Sequence, residues 1–387
     1  MKGCRCSSLV LLLVLLGGCA STGTSTGWDV STRERLLSGE ALAGYAGDTS
    51  IPGQDEIMFI DESMKRFAEQ AVAGQATARD KVKSMLEAII KPKGLGLVYD
   101  PTASFTAREA FEARRANCMS FTLMVVAMLR HVGVETSFNV VEVPLIGDMR
   151  DESTLVFYKH INAMVQFPFE AGRAVVDLDM DAYDTNYEQR IITDEAALAQ
   201  YYNNRSMEYL QEGNARAAFP YLVRALAIEP QQSYFWNNLG ALYQRSGNLE
   251  AAREAFEVAL DENSNDLVAM SNAARLYAYL GETKRAEALT QRVEHFRAHN
   301  PYYRYLHAVN AFRVSDYETA RRELTEAIRL HKQEHMFHFL LGAVYEKLGM
   351  HEAALQSITT ALQLTTDEKQ LARYKGKMGR LFSSAQM

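Results

Sequence analysis

A 34-residue periodicity governs the C-terminal half of this chain of 387 residues. One column of the repeat is always alanine: Ala218, Ala252, Ala286, Ala320 and Ala354. Other columns keep the same register and hold a glycine (Gly213, Gly247, Gly281, Gly349, with Ser315 in the fourth unit), an aromatic (Tyr209, Tyr243, Tyr277, Tyr345, with Ala311 in the fourth unit) and small residues (Ser206, Gly240, Ala274, Ala308, Gly342). A unit of this length holds two helices and a turn, and it buries its apolar face only against neighbouring units. The sequence therefore predicts five stacked units.

These units resemble the tetratricopeptide repeat. The second unit shows the pattern most fully, with Trp236, Leu239, Gly240, Tyr243, Gly247, Ala252, Phe256 and Ala259. The resemblance implies an all-α solenoid over residues 197–368, followed by a capping helix and tail over residues 369–387. It also implies a groove that binds a protein or peptide partner. The alternative is an array that only spaces or stiffens the rest of the molecule.

The first residues have the pattern of a targeting segment. Lys2 and Arg5 precede the apolar run Leu9–Leu16, which is too short to span a bilayer. Leu16-Gly17-Gly18-Cys19 resembles the lipobox of bacterial lipoproteins. The resemblance implies a signal peptide over residues 1–18, lipidation at Cys19 and a tether over residues 19–54. Because no aspartate follows Cys19, it also implies anchoring in the outer membrane, facing the periplasm. The alternative is an ordinary signal peptide with a chance cysteine.

Charge and cysteine content narrow the function further. The formal net charge is −7 with a pI of about 5.8, and no basic stripe interleaved with aromatics occurs, which argues against a nucleic-acid partner. Of the four cysteines, Cys118 is the one outside the N-terminal segment. A lone thiol in an exported, oxidising compartment is either a buried inert residue or a nucleophile.

The sequence places Cys118 at the start of a helix. Thr106 and Glu109 predict the start of one helix, and a turn separates it from a second helix that begins at Cys118 and stops at Gly133. The N-terminus of a helix carries a partial positive charge, which favours a thiolate. The pattern therefore favours the nucleophile over the inert residue.

A thiolate nucleophile needs a partner that handles protons, and two histidines precede the repeats. His131 lies on the same helix about 20 Å away at 1.5 Å per residue, so it cannot reach Cys118. His160 lies in a strand-like run, and the next strand-like run brings Asp177 and Asp179 to one face. A Cys–His–Asp arrangement on a helix start and two strands is geometrically sensible.

These elements together resemble the transglutaminase-like branch of the papain superfamily. The matching segments are Tyr99-Asp100, Thr106-Ala107-Arg108-Glu109-Ala110-Phe111, Ala116-Asn117-Cys118-Met119-Ser120, His160-Ile161-Asn162 and Val175-Val176-Asp177. The resemblance implies an α+β domain over residues 55–190 in which Cys118 is the nucleophile, His160 the base and Asp177 the residue that orients it. Asp179 is the substitute if the register slips by two. No cofactor and no metal are required.

Two departures from that family affect the surroundings of the thiol. Ala116 replaces the usual glycine, and the loop over residues 144–154 has no tryptophan. The expected oxyanion hole is the backbone N–H of Cys118 with Asn117 as a candidate side-chain donor; the alternative for Asn117 is a turn residue. The clusters His331, His335, His338 and His295, His299 have no cysteine beside them and are not predicted to bind a metal.

The sequence thus predicts a thiol enzyme that transfers acyl groups at amide bonds, as a peptidase, an amidase or a transglutaminase-like enzyme. Its repeats would bind protein partners or substrates. The alternative is a non-catalytic envelope scaffold, in which the repeats bind partners and the thiol domain is degenerate.

Overall fold

The computed structural model describes residues 30–47, 50–142, 160–167, 172–178, 188–365, 371–372 and 374–376. The expected signal peptide, the expected lipidation site Cys19 and the substitute Asp179 lie outside the described residues. Within these ranges, no helix combines the length and the apolar character needed to cross a membrane. The described chain consists of a mixed α and β region up to Ile192 and an all-helical array that begins at Asp194.

Helices lead up to the main sheet. They are α1 (Val30–Ser38), α2 (Gln54–Ile57), α3 (Glu62–Ala71), α4 (Ala78–Ile90), α5 (Ala107–Ala113) and α6 (Cys118–His131). Polar residues before a helix satisfy its unpaired N–H groups. Asp61 accepts two backbone hydrogen bonds at the start of α3, and Thr106 forms a capping box with Glu109 at the start of α5. The helices predicted after Thr106 and at Cys118 are therefore both present.

Four antiparallel strands form the main sheet in the order β5-β4-β3-β6. They are β3 (Thr136–Glu142), β4 (His160–Gln166), β5 (Arg173–Val176) and β6 (Glu188–Ile192); a small parallel pair, β1 (Val98–Tyr99) and β2 (Arg115–Ala116), precedes α6. α6 packs on β3 and β4, and every residue from Met119 to Leu129 is buried. This explains its unbroken apolar sequence. The assignment of this region to the papain-like fold stays a prediction.

The array continues with helices joined by short turns. They are α7 (Asp194–Gln211), α8 (Ala215–Ile228), α9 (Ser233–Arg245), α10 (Leu249–Glu262), α11 (Leu267–Tyr279), α12 (Thr283–His299), α13 (Pro301–Arg313), α14 (Tyr317–Leu330), α15 (His335–Lys347) and α16 (His351–Leu364). The glycine column occupies the turn inside each unit, with φ from 74° to 83°. Glycine adopts this left-handed conformation at low cost. The fourth unit places Ser315 there instead, at φ 64°.

The small-residue column lies where the two helices of a unit cross. A Cβ added at Gly240 would lie 2.5 Å from the ring of Phe256, and one added at Gly342 would lie 2.5 Å from the side chain of Ile358. Both distances are far below van der Waals contact. The residues of this column have small side chains because the helix backbone there is in direct contact with a large side chain of the second helix.

The array has a break between its third and fourth units. One apolar core includes Ala286 and Leu289, whereas a second core begins around Tyr302 and Ala308. α12 has 17 residues, against 14 in α10 and α14, and Asn300 alone separates it from α13. The corresponding connectors elsewhere are residues 229–232, 263–266 and 331–334. The sequence predicted one continuous stack, and the missing connector explains the difference.

A buried chain of asparagine side chains links the first three units. Asn238 Nδ2 donates to Asn203 Oδ1 at 2.7 Å, and Asn272 Nδ2 donates to Asn237 Oδ1 at 2.8 Å. Such buried amides are stabilising only when they are paired with one another. The next position in this column, 34 residues after Asn272, is Leu306, so the polar link stops where the apolar core divides.

The segment before α2 packs on the second repeat unit. Arg33 forms an ion pair with Glu262 at 2.6 Å and lies over the ring of Trp236 at 5.3 Å. Tyr243 donates its hydroxyl hydrogen to the carbonyl oxygen of Leu36 at 2.5 Å. The described part of the expected tether over residues 19–54 is therefore folded against the array.

The end of the array is closed by an aromatic contact. Residues 371–372 and 374–376 are helical, and most of the expected capping segment over residues 369–387 lies outside the described residues. Tyr374 is buried, stacks on Phe339 with ring centroids 4.0 Å apart, and its hydroxyl lies 2.8 Å from His335 Nδ1. The contact covers the face that the last unit would otherwise expose.

Candidate active site

The turn before α6 fixes the position of Cys118. Asn117 is the N-cap: its Oδ1 accepts the backbone N–H of Ser120 at 2.9 Å, and its Nδ2 donates to Ser104 Oγ at 2.7 Å. Cys118 follows as the first helical residue, partly exposed. Its N–H points out of the helix end, because the first N–H groups of a helix have no intrahelical acceptor.

Ser120 ties the same turn to the preceding loop. Its hydroxyl donates to the carbonyl oxygen of Ala103 at 2.8 Å and accepts the N–H of Phe105 at 2.6 Å. Thr122 Oγ1 donates to the carbonyl oxygen of Cys118 at 2.7 Å. Side-chain hydroxyl and amide groups of four residues, Ser104, Asn117, Ser120 and Thr122, thus hold the first turn of α6, which begins at Cys118.

The sheet brings the other two predicted residues to this helix end. His160 begins β4 and Asp177 follows β5 directly. One ligand atom each from Cys118, His160 and Asp177 lie within 4.8 Å of one another. His160 Nε2 is 2.5 Å from Asp177 Oδ2, and the side chains are 15% and 1% exposed. The other ring nitrogen, Nδ1, is left for the thiol.

The neighbours of His160 favour its charged form. Burial lowers the pKa of His160, but hydrogen bonds to Asp177 and Cys118 and their negative charges outweigh burial and raise it to about 10. His160 is therefore positively charged at neutral pH, beside the Cys118 thiol.

A buried amide stands behind the carboxylate. Asn162 Nδ2 donates to Asp177 Oδ2 at 3.2 Å, and Asn139 Nδ2 donates to Asn162 Oδ1 at 2.8 Å. Both asparagines are essentially inaccessible to solvent. Sequence reasoning missed Asn139 altogether and used Asn162 only as part of a motif. The available signal was an asparagine inside each of two predicted strands, next to apolar residues.

The other residues considered for the site either lie away from Cys118 or form hydrogen bonds within the local structure. The Asn117 amide is used as the helix N-cap and by Ser104, which agrees with the alternative that it shapes the turn; its role as an oxyanion donor stays a prediction. His131 lies 2.9 Å from Glu69, away from the thiol. Ala116, which replaces a glycine, is buried in β2.

Cysteine, histidine and aspartate are also metal ligands, and these three form the one such group found in the described ranges. Two ligands on a tetrahedral zinc ion have donor atoms roughly 3.3 Å apart or more. The 2.5 Å between His160 Nε2 and Asp177 Oδ2 fits a shared proton and leaves no ion between them. That separation is the length of a hydrogen bond.

Comparison with known proteins concerns the array. Tetratricopeptide-repeat models match residues 209–265, 244–309 and 305–368. The C-terminal part of the chain is thus an array of tetratricopeptide repeats, as its periodicity predicted, and such repeats support interaction with other proteins. No curated protein matches the chain.

Several solved structures match part of the chain at low similarity. The APC/C hetero-tetramer Cut9-Hcn1 is 20% identical over 49% of this chain and 37% of that one, with a TM-score of 0.27. MamA from Desulfovibrio magneticus RS-1 is 20% identical over 43% and 94% of the two chains, with a TM-score of 0.25. YrrB, a TPR protein with an unusual peptide-binding site, is 16% identical over 46% and 92%, with a TM-score of 0.25.

Proposed function

We propose that this protein is a thiol enzyme that transfers acyl groups at amide bonds. The observation that carries the proposal is His160, held by a buried aspartate on one nitrogen, with the donor atoms of Cys118, His160 and Asp177 all within 4.8 Å of one another. The likeness of the local motifs to transglutaminase-like domains of the papain superfamily supports the same chemistry. Asp177 orients the ring and stabilises its positive charge.

Each step of the reaction uses a group of this chain. The Cys118 thiolate adds to the amide carbonyl, and the backbone N–H of Cys118 at the helix end stabilises the developing oxyanion. His160 then gives its proton to the departing amine as the C–N bond breaks, which leaves a thioester on Cys118. Attack on the thioester by water gives a peptidase or amidase, and attack by an amine gives a transglutaminase. Hydrolysis of a peptide or isopeptide bond is the favoured outcome, because water is always available.

The site of action in this proposal is the periplasmic face of the outer membrane, with the chain anchored through lipidated Cys19. The basis is the lipobox-like sequence before Cys19. Mass spectrometry of the N-terminal peptide from membranes tests it: a diacylglyceryl cysteine at position 19 is expected, and an unmodified Cys19 in the mature chain refutes the anchor.

The enzyme proposal is tested by the alkylation of Cys118 with iodoacetamide between pH 5 and pH 9, followed by peptide mass spectrometry so that other cysteines do not interfere. The expected result is fast alkylation below pH 7 that His160→Ala abolishes. His131→Ala is the matched control, since that histidine pairs with Glu69 far from the thiol. Slow alkylation at all pH values, or no effect of His160→Ala, contradicts a Cys–His pair.

A second function, the binding of a polypeptide by the array, rests on the break beside α12. A cleft of about 800 Å³ lies where α11, α12 and the start of α13 meet, lined by Met270, Phe296 and Tyr302 among others. Another of about 600 Å³ lies between α11 and α12. In the non-catalytic alternative, these clefts carry the whole function. The test is binding of a peptide library to the full chain and its variants. We expect Phe296→Glu to abolish binding and His160→Ala to leave it unchanged. Binding that persists in Phe296→Glu excludes the cleft.

A further inference from the structure

A row of buried amides runs across the sheet towards the catalytic carboxylate. Asn139 on β3 and Asn162 on β4 face each other in register, and their side chains are 1% and 0% exposed. Asn139 Nδ2 donates to Asn162 Oδ1 at 2.8 Å and to Gln189 Oε1 on β6 at 3.2 Å. Asn162 Nδ2 donates to Asp177 Oδ2 at 3.2 Å. The row therefore begins at β6 and ends at the oxygen that contacts His160.

We propose that Asn162 and Asn139 are positioning residues that hold the Asp177 carboxylate towards His160. The inference rests on the proposed thiol chemistry and adds residues that touch neither the thiol nor the substrate. Their part is to fix the direction of one carboxylate oxygen, and so the ring that this oxygen orients.

The direction of each amide follows from what its neighbours can offer. A carboxylate only accepts hydrogen bonds, so Asn162 must turn its NH₂ group towards Asp177. That orientation leaves Asn162 Oδ1 pointing away, where it needs a donor, and Asn139 supplies one. Asn139 can do so because Gln189 accepts its second N–H. Gln189 thus fixes the orientation of the Asn139 amide, and Asn139 and Asp177 together fix that of the Asn162 amide.

The cost of the row indicates that it does more than fill the core. Among the described residues, Asn139 Oδ1 is buried without a hydrogen-bond partner. A buried acceptor without a donor is unfavourable, and an apolar side chain of similar volume would avoid the penalty. Val141 and Met164 lie on the same faces of their strands as Asn139 and Asn162, and both are buried, so apolar side chains fit on this side of the sheet. The amide of Asn139 is therefore retained for the hydrogen bond that its NH₂ group donates to Asn162.

The test measures Cys118 alkylation at pH 6 in the full-length chain in detergent, with Asn162→Leu and Asn139→Leu. The matched control is Asn238→Leu, which removes an equally buried amide of the repeat array. Loss of a charge-assisted hydrogen bond predicts a rate lower by about tenfold for Asn162→Leu and a smaller loss for Asn139→Leu. Asn238→Leu should leave the rate unchanged. If Asn162→Leu does not fold, Asn139→Leu, which contacts neither His160 nor Asp177, decides the matter.

A double-mutant cycle separates positioning from general structural damage. If Asn162 acts through the carboxylate, Asn162→Leu has no further effect once Asp177→Asn is present. Equal losses in both backgrounds, or wild-type rates for both leucine variants, overturn the inference. The His160→Ala variant distinguishes this outcome from a failure of the proposed function. If the proposed function is wrong, His160→Ala does not change the alkylation rate. If only the role of the amides is wrong, His160→Ala still lowers that rate.

Discussion

Replacing Asp177 by asparagine tests what keeps His160 protonated, because the Asp177 carboxylate is the group that raises the pKa of His160 most. The substitution keeps the shape of the side chain but removes the negative charge that lies 2.5 Å from the ring nitrogen. What remains around His160 is burial, which lowers its pKa, and Cys118, which raises it. The pKa of His160 should therefore fall from about 10.

The size of the fall can be bounded. An opposite charge within about 4–6 Å shifts a pKa by about 1–3 units, and each unit corresponds to about 1.4 kcal/mol. Asp177→Asn should thus lower the pKa of His160 by about 1–3 units, or roughly 1.4–4 kcal/mol of stabilisation of the imidazolium. The buried position of both side chains favours the upper half of that range, because water screens the pair little.

The same shift makes the stability of the folded chain depend on pH. The pKa of His160 is raised above its ordinary value of 6.5, so protonated His160 contributes its full stabilisation below about pH 6.5. The contribution is lost as the pH rises towards 10. Between pH 7 and pH 10, the free energy of unfolding should therefore fall more for the wild type than for Asp177→Asn.

Histidine-selective NMR titration measures the effect directly, with urea unfolding at each pH as a second readout. Asp194→Asn is the control, since it removes the same charge from an exposed pair with Arg130 at 2.6 Å. A wild-type His160 that titrates near pH 6.5, or one whose titration midpoint Asp177→Asn leaves in place, would refute the reasoning.

Three stability measurements by urea unfolding probe the array. Ser315→Gly should stabilise the protein by about 0.5–1 kcal/mol, because Ser315 has φ 64° and glycine adopts that conformation without strain; an unchanged midpoint contradicts this. Gly240→Ala should cost about 1–3 kcal/mol, since the new methyl group would lie 2.5 Å from Phe256; a neutral effect shows that the helices can separate freely. Arg33→Ala should cost about 0.5–1 kcal/mol and alter tryptophan emission through Trp236, and unaltered emission would mean that α1 does not dock.

Local signals made much of the fold predictable. The Thr106–Glu109 capping box and the apolar run after Cys118 fix helix ends through contacts between residues a few positions apart. The turns of the array follow from the glycine column for the same reason. The placement of His160 beside Cys118 needed more, because it depends on the pairing of β3 with β4 across a long connection. Motif likeness supplied that step, since periodicity alone could not.

The break in the array is a feature that the 34-residue periodicity does not predict. The alanine column continues in register from Ala286 to Ala320, so the pattern predicts continuous stacking. The structure divides there because helix continues through His299 and leaves Asn300 as the whole connector. The signal that could have indicated it is Leu306, which replaces the asparagine column of the earlier units.

The mixed region and the first three repeat units share one apolar core, so the two regions pack directly against each other. Arg130 at the end of α6 pairs with Asp194 at the start of α7. Ser104, whose hydroxyl oxygen accepts a hydrogen bond from the Asn117 amide, also lies beside the Glu208 carboxylate of α7. The first repeat helix therefore supports the loop that holds the turn before Cys118. Because the clefts are lined only by residues from Ser271 to Arg297 and from Asn265 to Tyr302, they include none of Cys118, His160 and Asp177. Partner binding and thiol chemistry can therefore be disabled one at a time, and the two proposed functions can be judged independently.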